Sequence, residues 1–89
     1  MVTGIVLINV ERAMISNVTD GLMKIDGVSE VYTVAGEYDL VAMIRVDSNA
    51  KLAEIIATKM TSDIKGIIHT KTLISLNANA KFDLSTLLA

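Results

Sequence analysis

The segment of this chain best suited to chemistry is Ala35-Gly36-Glu37-Tyr38-Asp39, which sets two carboxylates and an aromatic ring within one short stretch. Turns are more commonly built from small polar residues, so this composition stands apart. An α-ammonium group can be satisfied by the Asp39 carboxylate, the Gly36 backbone admits a ligand closely, and Tyr38 offers an apolar wall with a hydroxyl. A plainer reading of the same residues is structural: Gly36 meets a turn's backbone demand and Asp39 caps amides of the loop. Spacing alone leaves both readings open.

Elsewhere the residue types that catalysis needs are sparse. The 89 residues hold one histidine and no cysteine, and neither HExxH, GxSxG nor a phosphate-cradling glycine loop occurs. His69 falls in an alternating segment with no second ligand close in sequence, so it reads as an ordinary strand side chain and no metal site is expected. Ser16, Thr33, Ser48 and Thr72 carry hydroxyls, but a hydroxyl nucleophile needs an adjacent base that the single histidine does not obviously supply. Glu11, Glu54 and Asp63 read as solvated helix positions, and Met14, Met23, Met43 and Met60 as core or interface filler. No catalytic residue and no cofactor is assigned, and the chain is read as a non-enzyme.

Composition narrows the class further. A chain of 89 residues supports one hydrophobic core, and near this size a monomer hides only about 60–65% of the surface its unfolded form exposes. Yet hydrophobic residues make up 52% of the sequence, more than a small monomer easily buries. Contact with other copies is the expected outlet. The 8 basic and 10 acidic residues are dispersed, and aromatics are only 3%. A phosphate backbone needs clustered Lys and Arg, and single strands need stacking platforms, so direct nucleic-acid binding is not expected. The absence of cysteine fits a reducing, cytoplasmic compartment, and the opening MVTGIVLINVER is too short an apolar run for a membrane span and lacks the basic start of a signal peptide.

The elements that must position the loop are legible as two similar halves. Ile25-Asp-Gly-Val-Ser-Glu-Val-Tyr-Thr-Val34 resembles Ile64-Lys-Gly-Ile-Ile-His-Thr-Lys-Thr-Leu73, and the same offset aligns Val2 with Val41, Ile5 with Ile44 and Leu7 with Val46. Each half opens on a nearly unbroken apolar run, residues 4–10 and 40–46, which predicts a central strand buried on both faces. Met14, Val18, Leu22 and Ile25 place one apolar stripe on a helix over about 12–25. Ala53, Ile56, Met60 and Ile64 make the equivalent stripe over about 50–64, capped by Ser48 or Asn49. Gly27 and Gly66 follow the last apolar helical positions, and the more alternating stretches 28–35 and 67–77 read as edge strands. The order βαβ, hairpin, βαβ is the α+β ferredoxin-like arrangement: a four-stranded antiparallel sheet with two helices on one face. Both faces of the central strands are apolar and helices cover only one, so the other is expected to meet a second subunit about a two-fold axis, giving a sheet-to-sheet dimer. The domain is taken as residues 1–78. The remaining 79–89, with Phe82, Leu84, Leu87 and Leu88, forms a tail read either as docking on a neighbouring subunit or as a frayed terminus.

With IDGVSEVYTVAGEYDLVAMIRV, its glycine-x-x-aspartate hairpin at Gly36 and Asp39, and the later IKGIIHTKTLISL, the chain resembles the RAM (regulation of amino acid metabolism) domain. This is the effector-binding and oligomerising half of Lrp/AsnC (feast/famine) transcription regulators, and the resemblance covers about residues 2–78. It implies dimers assembled further into closed rings, with a free amino acid or related metabolite held between dimers against the hairpin. By that resemblance Gly36, Glu37, Tyr38 and Asp39 line the ligand pocket, Asp39 meets the ligand's amino group, and Thr70 and Thr72 on the last strand contribute. No helix-turn-helix precedes the first strand, so the expectation is a stand-alone version that does not read DNA by the family's route. Its expected partners are further copies of itself, a small amino-acid effector and full-length Lrp/AsnC regulators. The alternative reading is a purely structural protein that co-assembles with full-length regulators and binds no ligand. An enzymatic reading rests only on analogy with small isomerases and monooxygenases of this fold.

Overall fold

The computed structural model describes residues 1–82. Strand β1 (Val2–Val10) is followed by a short 3-10 turn (Arg12–Met14) leading into helix α1 (Ile15–Met23). Next come β2 (Val28–Thr33) and β3 (Leu40–Val46). Helix α2 joins Asn49–Glu54, a π-helical stretch Ile55–Met60 and a last turn Thr61–Asp63, and β4 (Ile67–Ile74) completes the sheet. The four strands are ordered β2-β3-β1-β4 and every pairing is antiparallel. This is the ferredoxin-like α+β fold, with the two most apolar strands in the centre.

The core lies between the helices and one face of the sheet. Val6, Ile8 and Val10 of β1 and Leu40, Ala42, Ile44 and Val46 of β3 are buried there with Val18 and Leu22 of α1 and Leu52, Ile55 and Met60 of α2. Alternation along a strand fixes the remaining side chains on the opposite face. Ile5, Leu7, Val41 and Met43 therefore point away from the helices, joined by Leu73 and Tyr32, which are 44% and 50% exposed. The sheet presents an apolar strip with no helix against it among the described residues, and only the segment following β4 meets it, at Ile5 and Met43. Gly4 is buried at the centre of this packing: a Cβ there would stand 2.7 Å from Leu52 Cδ1, so its absence lets α2 close on β1.

Two details depart from the sequence expectation. The α2 stripe is Leu52, Ile55, Met60 and Ile64; Ala53 is exposed and Ile56 only half-buried. The step from Ile55 to Met60 spans five residues because the backbone is π-helical there, and a wider turn brings residues five apart onto one face. The helices also end earlier than the glycines: α1 is closed by Lys24, whose amide donates to Gly21 and Leu22 carbonyls. Gly27 sits in the following turn, closed by Val28 N–H to Ile25 O at 3.2 Å. The cap of α2 is as expected, with Ser48 Oγ accepting from Lys51 N–H at 3.1 Å. Of the expected tail docking, the contributions of Leu84, Leu87 and Leu88 lie outside the described residues.

Gly66, the repeat equivalent of Gly27, has φ +109° and a Cβ added to it would stand 2.5 Å from Met14 Cβ. Gly36 has φ +133° but open space around it. Strained backbone alone costs about 1–3 kcal/mol, whereas Gly66→Ala adds a clash with a side-chain root that cannot swing away. Gly66→Ala is therefore expected to lower the melting temperature more than Gly36→Ala, a comparison that thermal unfolding by circular dichroism settles.

Candidate functional site

The hairpin between β2 and β3 is closed by Val34 N–H donating to Asp39 O at 2.9 Å, and Asp39 N–H donates to Ile8 O at 2.9 Å. There β3 turns away while β1 runs on, which leaves Val10 N–H facing an empty ladder position. The Asp39 carboxylate fills it, with Oδ2 accepting from Val10 N–H at 2.9 Å. A side chain thus extends the ladder by one rung beyond the backbone. Asn9 secures the loop from the same strand, its Nδ2 donating to Glu37 O at 2.8 Å. The other Asp39 oxygen, Oδ1, accepts no hydrogen bond among the described residues, and Tyr38 and Asp39 are half-buried while Gly36 and Glu37 are exposed.

The structural reading of this loop therefore finds a counterpart. Gly36 takes the positive φ that favours glycine, and Asp39 caps an amide, though of β1 rather than of the loop itself. Oδ1 is solvent-accessible, and a carboxylate oxygen without a partner among the described residues is chemically able to accept from a cationic group. Thr70 and Thr72 lie elsewhere. They oppose Ile8 and Val6 on β4, with side chains toward the helix side of the sheet, two strands from the hairpin. The single chain does not gather them with residues 36–39 into one cavity.

Among the described residues, surface hollows lie away from the hairpin. A groove of about 630 Å³ between the helices is lined by Lys24, Lys51 and Lys59 but equally by Asp20, Asp26 and Asp63, so it offers an anion no net charge. A hollow of about 360 Å³ lies on the open sheet face, where Ile5, Met43 and Arg45 meet the segment following β4. Among the described residues no group of three or more His, Cys, Asp or Glu is placed to hold a metal, and no helix is long and apolar enough to cross a membrane.

Sequence reasoning missed two polar positions on the strands. Asn9 is one, the only polar side chain in an otherwise apolar run. Arg45 is the other, and it anchors a network on the open face: its guanidinium bonds Glu30 Oε1 at 2.9 Å and Ser29 Oγ at 3.1 Å, while the Tyr32 hydroxyl donates to Glu30 Oε2. A lone charge inside a central strand was the available signal for it. The Tyr32 hydroxyl and then the Arg45 guanidinium hold the Glu30 carboxyl below its ordinary range, and Glu30 in turn raises the Tyr32 phenol. A depressed carboxyl pKa stabilises the fold above the ordinary value of 4.5, and that contribution is lost as pH falls through the folded value. Glu30→Gln is expected to flatten the decline of melting temperature between about pH 5 and 3, and parallel profiles for variant and wild type would contradict it.

The profile of the Lrp/AsnC ligand binding domain matches residues 3–81. The chain belongs to the Lrp/AsnC ligand-binding domain family. The HTH-type transcriptional regulator FL11 of Pyrococcus furiosus is 32% identical over 74 residues, 83% of this chain and 48% of that protein. This Lrp/AsnC chain spans less than half the length of the curated relatives it matches. Among solved structures, TTHA0845 from Thermus thermophilus superposes with a TM-score of 0.83 at 30% identity, covering 91% of this chain and 100% of that one. A feast or famine regulatory protein from M. tuberculosis, complexed with L-methionine, superposes with a TM-score of 0.69 at 25% identity, over 88% of this chain and 52% of that one.

Proposed function

We propose that this Lrp/AsnC domain is an oligomeric effector-binding module: it self-associates through the sheet face opposite its helices and binds a free amino acid or a closely related metabolite at the β2–β3 hairpin. One observation carries the ligand assignment. Asp39 is held in place through Oδ2 by Val10 N–H while Oδ1 has no partner among the described residues, so the carboxylate is positioned before any ligand arrives. Preorganisation of this kind lowers the ordering cost of binding. Gly36, Glu37, Tyr38 and Asp39 line the site, and Asp39 takes the ammonium group. Thr70 and Thr72, two strands away, reach the same ligand only when a neighbouring subunit supplies them. The complex of the M. tuberculosis relative with L-methionine supports an amino-acid effector.

The strip of Ile5, Leu7, Val41, Met43 and Leu73, which has no helix against it among the described residues, supports assembly as dimers, with further association of dimers into rings placing hairpins against one another. The role is regulatory rather than catalytic, in keeping with the family, and a chain without cysteine suits the cytoplasm. The same strip also favours the second reading, co-assembly with full-length regulators without a ligand. A thermal-shift screen against the twenty amino acids and their keto acids separates the two, because a ligand that binds only the folded state raises its melting temperature. A selective rise supports effector binding. No rise at millimolar ligand leaves assembly alone.

A further inference from the structure

The hairpin end of the sheet carries more chemistry than the loop itself. Asn9 on β1 stands opposite His69 on β4, and Asp39 flanks Asn9 on the other side. The side chains of Asn9 and His69 alternate with those of buried Ile8 and Val10, so both lie on the face turned away from the helices. Thr70 and Thr72 lie on the other face. Neighbouring strands are about 4.8 Å apart, which sets the Asp39 and His69 backbones about 10 Å apart with Asn9 between them.

That span suits one kind of ligand. In a free amino acid the ammonium nitrogen and the carboxylate oxygens lie about 3 Å apart across one carbon. Charge-assisted hydrogen bonds add just under 3 Å at each end. Asp39 supplies the acceptor for the ammonium. Donors for the carboxylate follow along the row: on the far side the His69 imidazole donates at least one N–H in either protonation state, and in the middle Asn9 Nδ2, bonded to Glu37 O, keeps a second hydrogen free among the described residues. We infer that His69 and Asn9 hold the α-carboxylate of the amino acid whose ammonium Asp39 holds, so that the row reads both charges of the zwitterion. This rests on the amino-acid reading above and adds to it the partner of the ligand's second charge.

The test uses calorimetry on the full chain with the twenty L-amino acids and, for the tightest, its α-amide, which keeps the ammonium but replaces the carboxylate. His69→Ala is expected to weaken the amino acid at least tenfold while changing the amide less than twofold, and His69→Gln, which retains an N–H donor, to recover part of the loss. His69 is exposed in the single chain, so the melting temperature should match the wild type, and sedimentation velocity on the variant checks that a loss of affinity does not come from a change of assembly on this face. Unchanged amino-acid affinity in His69→Ala, with binding still lost in Asp39→Asn, overturns the inference and spares the amino-acid reading. Equal losses for amino acid and amide overturn it too, because the effect then does not act on the carboxylate. If no amino acid binds the wild type, both fall.

Discussion

Asp39→Asn is expected to abolish amino-acid binding while the melting temperature stays within a few degrees of the wild type, whereas Asp39→Ala is expected to lose both. The difference lies in what each substitution removes. Asparagine keeps a carbonyl oxygen where Oδ2 accepts from Val10 N–H, so the last rung of the β1 ladder survives, but it removes the negative charge an ammonium group needs. Alanine removes the rung as well. A partly buried amide left without its acceptor costs about 1–3 kcal/mol, which in a domain of this size corresponds to roughly 4–24 °C of melting temperature. Thermal unfolding and calorimetry on the two variants check this. Retained binding in Asp39→Asn would remove the ligand role, and an Asp39→Ala protein as stable as the wild type would remove the structural one.

Ile5→Lys is expected to abolish the proposed sheet-to-sheet dimer. Ile5 sits mid-strand on the open face, between Met43 and Leu73 in the neighbouring strands. In the free chain a lysine there can lay its stem along that surface and keep its ammonium in water, so the fold tolerates it. In a two-fold interface both copies bring the charge into an apolar contact with no counter-ion, which costs several kcal/mol. The dimer dissociation constant should rise at least 100-fold, about 2.7 kcal/mol. Sedimentation velocity would then show a 9.6 kDa species at concentrations where the wild type is associated. An unchanged distribution would move the interface to another face. If the proposed site draws Thr70 and Thr72 from a neighbouring subunit, this variant should also bind the amino acid more weakly.

Much of this architecture was legible in the residues. The apolar runs at 4–10 and 40–46 announced central strands, and the polar-apolar alternation after Gly27 and Gly66 announced edges, because burial on two faces or one leaves different patterns. What stayed hidden has physical causes. The α2 stripe was misassigned to Ala53 and Ile56 since a spacing rule assumes one turn width, and the π-helical stretch Ile55–Met60 changes it. Which strand face meets the helices was not readable, as both Ile5/Leu7 and Val6/Ile8 are equally apolar; the helices select the second pair. Gly36 and Asp39 could be singled out by their types, but not the bond from Val10 N–H to Asp39, which depends on where β3 leaves the sheet. Asn9 and Arg45 each interrupt an apolar strand, and that interruption is the signal a closer reading would follow.

The measurement that tests the central claim most directly is amide chemical-shift mapping by NMR, on deuterated, 15N-labelled protein titrated with the amino acid giving the largest thermal shift. Effector binding at the hairpin predicts the largest perturbations at Val10, whose amide reports on Asp39, and at Gly36, Glu37, Tyr38 and Asp39, with residues of the groove between the helices unmoved. Perturbations centred on that groove, at Asn17, Lys24 and Lys59, would contradict it, as would a spectrum that no amino acid changes.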